Sequence, residues 1–422
     1  MDQQSLELLE TLLTDRLARI EAICSAASPG RGHRMIALAR IISSSLAGEK
    51  DRVVQSYTAA GSDDERRAVL RRLLRLLQLS EVLSLLKPYV DDIGRRDVPL
   101  GLWRMIDLMI AGLLPNGADA IIHFDDHHMY ATADLAAGVA TVLSTLGTAY
   151  ADPIRPVVFF VPGTDPTNAL LLPILAHEVG HTAVEQANLG SATLSKVDIT
   201  ALNQLFDKSL KAAGNPPPGP WQVQLFRWVD ELLCDALATV LTGPSLLLSS
   251  AMFLPAPNPG ALSSHPFPAD RLRLSLEQLD RLGWLPLVTS VAPGIVQWLR
   301  GLQVPTPSDP PRQEFLRGAI EILKPAIFEV SENHVREPLN PVAFTAVQTD
   351  LVALLTDGIP VAEVSGSAVQ PWAIVLAAWL SQIGLRGDAP RSLASATADR
   401  QFNSLVHKSI ELSGILTIWK SL

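Results

Sequence analysis

Charge, aromatic rings and cysteine are all scarce in this sequence, and each scarcity removes a class of protein. Charged residues make up 18% of the chain and aromatic residues 5%, whereas apolar residues reach 48%. That balance belongs to a globular protein and not to a disordered or collagen-like chain. The two cysteines, Cys24 and Cys234, lie far apart, so a disulfide-stapled scaffold is excluded and a reducing compartment fits best. Basic residues are in deficit, with a formal net charge of −9. Nucleic acid is therefore not the expected partner, because phosphate binding needs a concentrated basic surface.

Long apolar runs are also missing. The best two, 135–149 and 368–385, fall short of the roughly 20 uninterrupted residues that a membrane span requires. The first is short and rich in Ala, Gly and Thr, and the second is broken by Gln370, Pro371, Ser381 and Gln382. Both read as buried helices, with a peripheral membrane contact left open. The opening residues Met-Asp-Gln-Gln-Ser-Leu-Glu lack the basic and apolar regions of a secretory signal, so a cytoplasmic protein is expected.

What is present is Leu, Ala and a helical texture. At 422 residues two or three packing units are expected. Residues 1–115 read as a helical region, with Leu6, Leu9, Leu12, Leu13 and Leu17, then Leu70, Leu73, Leu74 and Leu77, at helical spacing. Pro29-Gly30, Gly61-Ser62 and Pro115-Asn116-Gly117 punctuate it. Residues 116–290 have a different texture. Ala-Ile-Ile-His-Phe after 119 and Val157-Val158-Phe159-Phe160-Val161 read as strands. Asp165 and Pro166 offer a start for a helix over 166–187, with Pro173 as a kink or a later start. Helices are expected over 197–213 and 221–241, then a turn-rich connector over 255–268. Residues 291–422 form a further helical region without a chemical motif.

Within the helix at 166–187 the chain reads Leu-Ala-His-Glu-Val-Gly-His from 175 to 181. On a helix His177 and His181 project from one face, close enough for both imidazoles to reach one zinc ion. Glu178 then stands beside the open coordination position, where a carboxylate can take a proton from bound water. In a chain with nine histidines, H-E-x-x-H is expected by chance roughly 0.01 times. Its setting among Leu172, Ile174, Leu175 and Val179 makes two unliganded histidines and a glutamate costly to bury.

A third ligand must come from elsewhere. The H-x-x-G-x-x-H continuation of the metzincins is excluded, since Val184 and Ala187 occupy the required positions. The segment Trp-Val-Asp-Glu-Leu-Leu-Cys-Asp at 228–235 supplies Glu231 as a ligand. Asp235, one turn further, can accept the second N–H of a liganding histidine, most simply His177. Asp230 competes with Glu231 but has the shorter reach and lacks the helical spacing to Asp235. Cys234 reads as a small buried residue.

On these residues the chain resembles the gluzincins, zinc peptidases with H-E-x-x-H and a downstream E-x-x-x-D. Glu231 follows His181 by 50 residues, and His265-Pro266 with Arg271 is similar to the H-P-x4-R element of the prenyl-protein and heat-shock membrane endopeptidases. The flanking membrane helices of those enzymes have no counterpart here. The resemblance covers about 155–280. It implies a mainly α protein with a small α+β zincin-like core and helical regions on both sides. It also implies a zinc metallopeptidase acting on protein or peptide substrates, with Glu178 passing a proton from zinc-bound water to the leaving amine. The strand at 157–161 would be a sheet edge that pairs with extended substrate. His265 is a candidate oxyanion stabiliser; the reading in which His265 and Arg271 simply fix the loop to the core stands at least level with it. The flanking helices are expected to cover the cleft and restrict substrates.

Two further clusters have plainer readings. His123, Asp125 and His127 would share a face if extended, but a polar strand end is the simpler account. Arg66, Arg67, Arg71, Arg72 and Arg75 read as a solvated helix face before they read as a docking surface for an acidic partner or membrane. The rivals to a peptidase are a non-catalytic, zinc-stabilised helical interaction protein and a zinc hydrolase of a non-peptide bond. Substrate and oligomeric state are not legible.

Overall fold

The computed structural model describes residues 3–26, 33–93, 98–125, 130–147, 155–163, 167–253, 265–291, 293–301, 309–386 and 400–421. The protein is mainly helical with a small sheet. Its internal contacts divide it into two units that are both discontinuous in sequence, Met1–Asp97 with Gly117–Thr164, and Val98–Asn116 with Asp165–Leu422.

The first unit contains helices α1 (Gln3–Ala26), α2 (His33–Ala59) and α3 (Asp63–Ile93). Leu13, Leu17 and Ile20 of α1 pack with Ile42, Leu46 and Val53 of α2 and with Leu70 and Leu73 of α3. These are the i, i+3, i+4 and i+7 positions that give a helix one apolar face. A capping box starts α3. Ser62 Oγ accepts from the Glu65 N–H at 3.3 Å, while Glu65 Oε2 accepts from the Gly61 and Ser62 N–H groups at 2.8 and 3.0 Å.

The same unit holds the sheet, with β1 (Asp119–Asp125), β2 (Ala131–Asp134) and β3 (Pro156–Pro162) in the order β1-β3-β2. Strand β3 pairs in parallel with β1 and antiparallel with β2. The expectation that 157–161 forms a free sheet edge is therefore corrected, because β3 is the central strand. Its continuous apolar run suits that place, where both faces and both edges are covered. Helix α5 (Ala136–Thr145) also departs from expectation, burying only Val139 and Val142.

The second unit contains α4 (Leu100–Leu113), a 3-10 turn (Ala169–Leu171), α6 (Leu172–Gln186), α7 (Leu189–Leu194), α8 (Ile199–Ala212), α9 (Gly219–Thr242) and α10 (Pro244–Phe253). Helices α11 (Pro268–Arg281), α12 (Leu285–Val291), α13 (Pro293–Gly301), α14 (Pro310–His334) and α15 (Pro341–Thr356) follow. A two-stranded hairpin, β4 (Glu363–Val364) and β5 (Ser367–Ala368), leads to α16 (Pro371–Arg386) and α17 (Arg400–Ser421). Helix α9 is the axis, with every residue from Glu231 to Thr242 buried. It stops at Gly243, whose φ of +60° suits a residue without a side chain. Helix α16, which holds most of the second apolar run, is buried at every residue from Pro371 to Gln382. Among the described residues no helix is long and apolar enough to cross a membrane.

Candidate metal centre

Helix α6 starts later than Asp165 and Pro166 suggest. Those two residues lie outside the described ones, and the helix runs from Leu172 with Pro173 in its first turn, where a missing N–H costs nothing. The start is tied down from three directions. Leu170 C=O accepts from Trp379 Nε1 of α16 at 3.0 Å and from Ser249 Oγ of α10 at 2.8 Å. The Ala169 N–H donates to Asn403 Oδ1 of α17 at 2.9 Å. The C-terminal helices thus hold the chain that feeds the metal helix.

Helix α6 crosses α9 closely because residue 180 of H-E-V-G-H is glycine. A β-carbon there would stand 3.0 Å from Cys234 Cα and 3.1 Å from Cys234 Cβ, tighter than side chains tolerate. Cys234 is fully buried and unpaired, and burial pushes its thiol well above the usual range. It fills space under Gly180 as a neutral small side chain.

The crossing brings three predicted ligands together. One donor atom each from His177, His181 and Glu231 lies within 4.8 Å of the others, and among the described residues this is the group that could hold a metal ion. His177 Nε2 is 3.5 Å from Glu231 Oε2, and His181 Nε2 is 3.7 Å from Glu231 Oε1. His177 Nδ1 lies 2.9 Å from Asp235 Oδ1, the partner expected from the one-turn spacing of Glu231 and Asp235. With a metal bound, that contact would hold the proton on Nδ1 and turn Nε2 toward the ion.

Arg271 of α11 clamps Asp235 from the other side, with Nε to Oδ2 at 2.7 Å and Nη2 to Oδ1 at 2.8 Å. Such a fork matches a carboxylate in two places. Its Nη1 also lies 3.5 Å from Glu231 Oε2. His265 is half exposed, and its Nε2 reaches to 3.1 Å from Glu231 Oε1. Sequence reasoning named Arg271 without finding this contact. Its signal in the sequence was the spacing from His265-Pro266 to Arg271, which does not say which carboxylate it meets.

The electrostatics favour a cation. Burial raises the Asp235 pKa, but the charges of Arg271 and His177 outweigh it and hold the carboxyl well below the usual range. Burial likewise opposes ionisation of Glu231, and its contacts with His177 prevail and lower its pKa. For His177, burial pushes the pKa down, yet Asp235 and Glu231 lift it to about 9. Burial and the neighbouring His177 lower His181 to about 4. The carboxylates draw a proton onto His177 when no other cation is at hand. Among the described residues Glu231 Oε2 is buried without a hydrogen-bond donor. Two imidazoles and one carboxylate, one of whose oxygens lacks a hydrogen bond, fit a divalent metal ion.

Glu178 is half-buried, one residue beyond His177. Burial raises its pKa, and the charge of His177 opposes the rise. Asp230, the competing ligand, stays outside the triad and lines a separate cavity with His181. His123 lies in β1 with its ring edge-on to Phe160 at 5.5 Å. The side chain of Asp125, and His127, fall outside the described residues. Arg66, Arg67, Arg71, Arg72 and Arg75 are exposed, as a solvated face requires.

No family model, curated protein or solved structure matches this chain.

Proposed function

We propose that the protein is a zinc-dependent peptidase, with a zincin-like centre built on α6 and α9. The observation that carries this reading is the convergence of His177, His181 and Glu231 beside a half-buried Glu178. A structural metal site has no use for a carboxylate at that position.

His177 Nε2, His181 Nε2 and a Glu231 oxygen would hold the metal, which supplies Lewis acidity to a water molecule and to the scissile carbonyl. Asp235 keeps the His177 ring in one tautomer and raises its basicity. Arg271 keeps Asp235 ionised and oriented. Glu178, whose pKa is lifted by burial, takes the proton of the attacking water and returns it to the leaving amine. His265, at the exposed edge of the cluster, donates a hydrogen bond to the carbonyl oxygen as negative charge builds there.

The test is cleavage of a peptide library by wild type and by Glu178→Gln, both loaded with zinc. Cleavage by wild type and a loss of about 10²–10⁴-fold in the variant are expected. Equal cleavage by both, or none by either when both hold zinc, contradicts the reading.

A further inference from the structure

A cavity of about 550 Å³ adjoins the metal cluster and has His181 in its wall. It lies among α6, α7 and α9. The turn between α6 and α7 passes through Asn188 at a φ of +51°, a left-handed conformation that asparagine adopts more readily than most residues. That turn brings α7 back across the end of α6, so that Leu194 faces the cavity with Val184 and Phe226. Phe226 is 52% exposed and forms part of that apolar wall.

The carboxylates of the wall are its charged part, beside the neutral Asn188 and Ser191. Asp230 and Glu185 line the cavity, and none of the residues lining it is Lys or Arg. Asp230 is half-buried on α9, with its Oδ1 over Gly190 at the start of α7. The cavity therefore combines an apolar throat with a carboxylate at its wall, next to a metal ligand. A long aliphatic chain ending in a cation satisfies both parts, and an acidic side chain satisfies neither.

We infer that this cavity is a specificity pocket for a lysine or arginine side chain adjacent to the scissile bond, with Asp230 as the residue that selects it. The inference rests on the peptidase reading. Asp230 touches neither the reacting bond nor the metal, and its task is to place the substrate.

Binding separates the two. Short fluorescent peptides, identical except for one residue varied in turn among Lys, Leu and Glu, are titrated into the zinc-loaded Glu178→Gln chain. At one peptide position Lys should bind about tenfold more tightly than Glu. Adding Asp230→Asn should abolish that preference while leaving zinc content and affinity for the Leu peptide unchanged, and Asp230→Lys should reverse it. Glu185→Gln, an exposed change that leaves the fold intact, should weaken the preference in part. No Lys preference at any position, or a preference that survives Asp230→Asn, overturns the inference. Peptide cleavage without a basic preference would leave the peptidase standing and remove the pocket. Selective binding with no cleavage by the Glu178-intact chain would do the reverse.

Discussion

Gly180 and Cys234 meet where α6 crosses α9, and the helices approach so closely that a β-carbon on Gly180 would lie 3.3 Å from the Cys234 sulfur. The approach matters because His177 and His181 lie on one helix and Glu231 on the other. A change that separates the helices separates the donor atoms.

Gly180→Ala should therefore cost about 1–3 kcal/mol of stability through overpacking, and should weaken zinc binding as well. Paired denaturation and zinc titration check this. A variant with unchanged zinc affinity would show that the crossing distance does not set the site.

Asp235 and Arg271 give a second expectation. Asp235→Asn removes the acceptor that fixes the His177 tautomer and should lower zinc affinity about 10–100-fold. Arg271→Ala leaves Asp235 buried without its fork, at a cost of about 3–5 kcal/mol, measured by urea unfolding of the metal-free protein. If Arg271→Ala were as stable as wild type, the clamp would have no energetic role.

The convergence of His177, His181, Glu231 and Asp235 was legible in the sequence because its evidence is local. Four-residue spacing puts His177 beside His181, and the same spacing joins Glu231 to Asp235. The Arg271 clamp was not legible, since it depends on how α11 packs on α9. Strand β2, Ala-Thr-Ala-Asp, is four residues with little β-branching, and only its pairing with β3 reveals it. The same pairing makes β3 central, and a continuous apolar run does not by itself distinguish an edge strand from an inner one. Of the two starts the sequence offered for α6, the later one at Pro173 is taken, because Pro166 and Pro173 carry the same local signal.

Asn403 tests the role of the C-terminal helices. It is 1% exposed and accepts the Ala169 N–H. Asn403→Leu should leave that buried donor unsatisfied and cost about 1–3 kcal/mol, with faster hydrogen exchange at the head of α6. Exchange confined to α17 would mean that α17 does not brace the metal helix.

His407 gives a pH dependence away from the metal. Burial lowers its pKa to about 4, partly offset by its hydrogen bond from Nε2 to the Thr167 carbonyl at 3.0 Å. An unfolded histidine titrates near 6.5, so the unfolded state binds the proton first. The stability from a neutral His407 is complete above about pH 6.5 and is lost as pH falls from 6.5 toward 4. The loss between pH 7 and 5 should be about 2 kcal/mol. In His407→Gln the stability difference between those two pH values should shrink by that amount, and an unaltered difference would assign it to other groups.

The central claim is that His177, His181 and Glu231 hold one metal ion. Its most direct test is elemental analysis of wild type and Glu231→Gln, purified side by side and dialysed against zinc-buffered solution. About one zinc per chain in wild type and a clear deficit in the variant are the predicted result. Wild type without zinc, or equal zinc in both proteins, would contradict it.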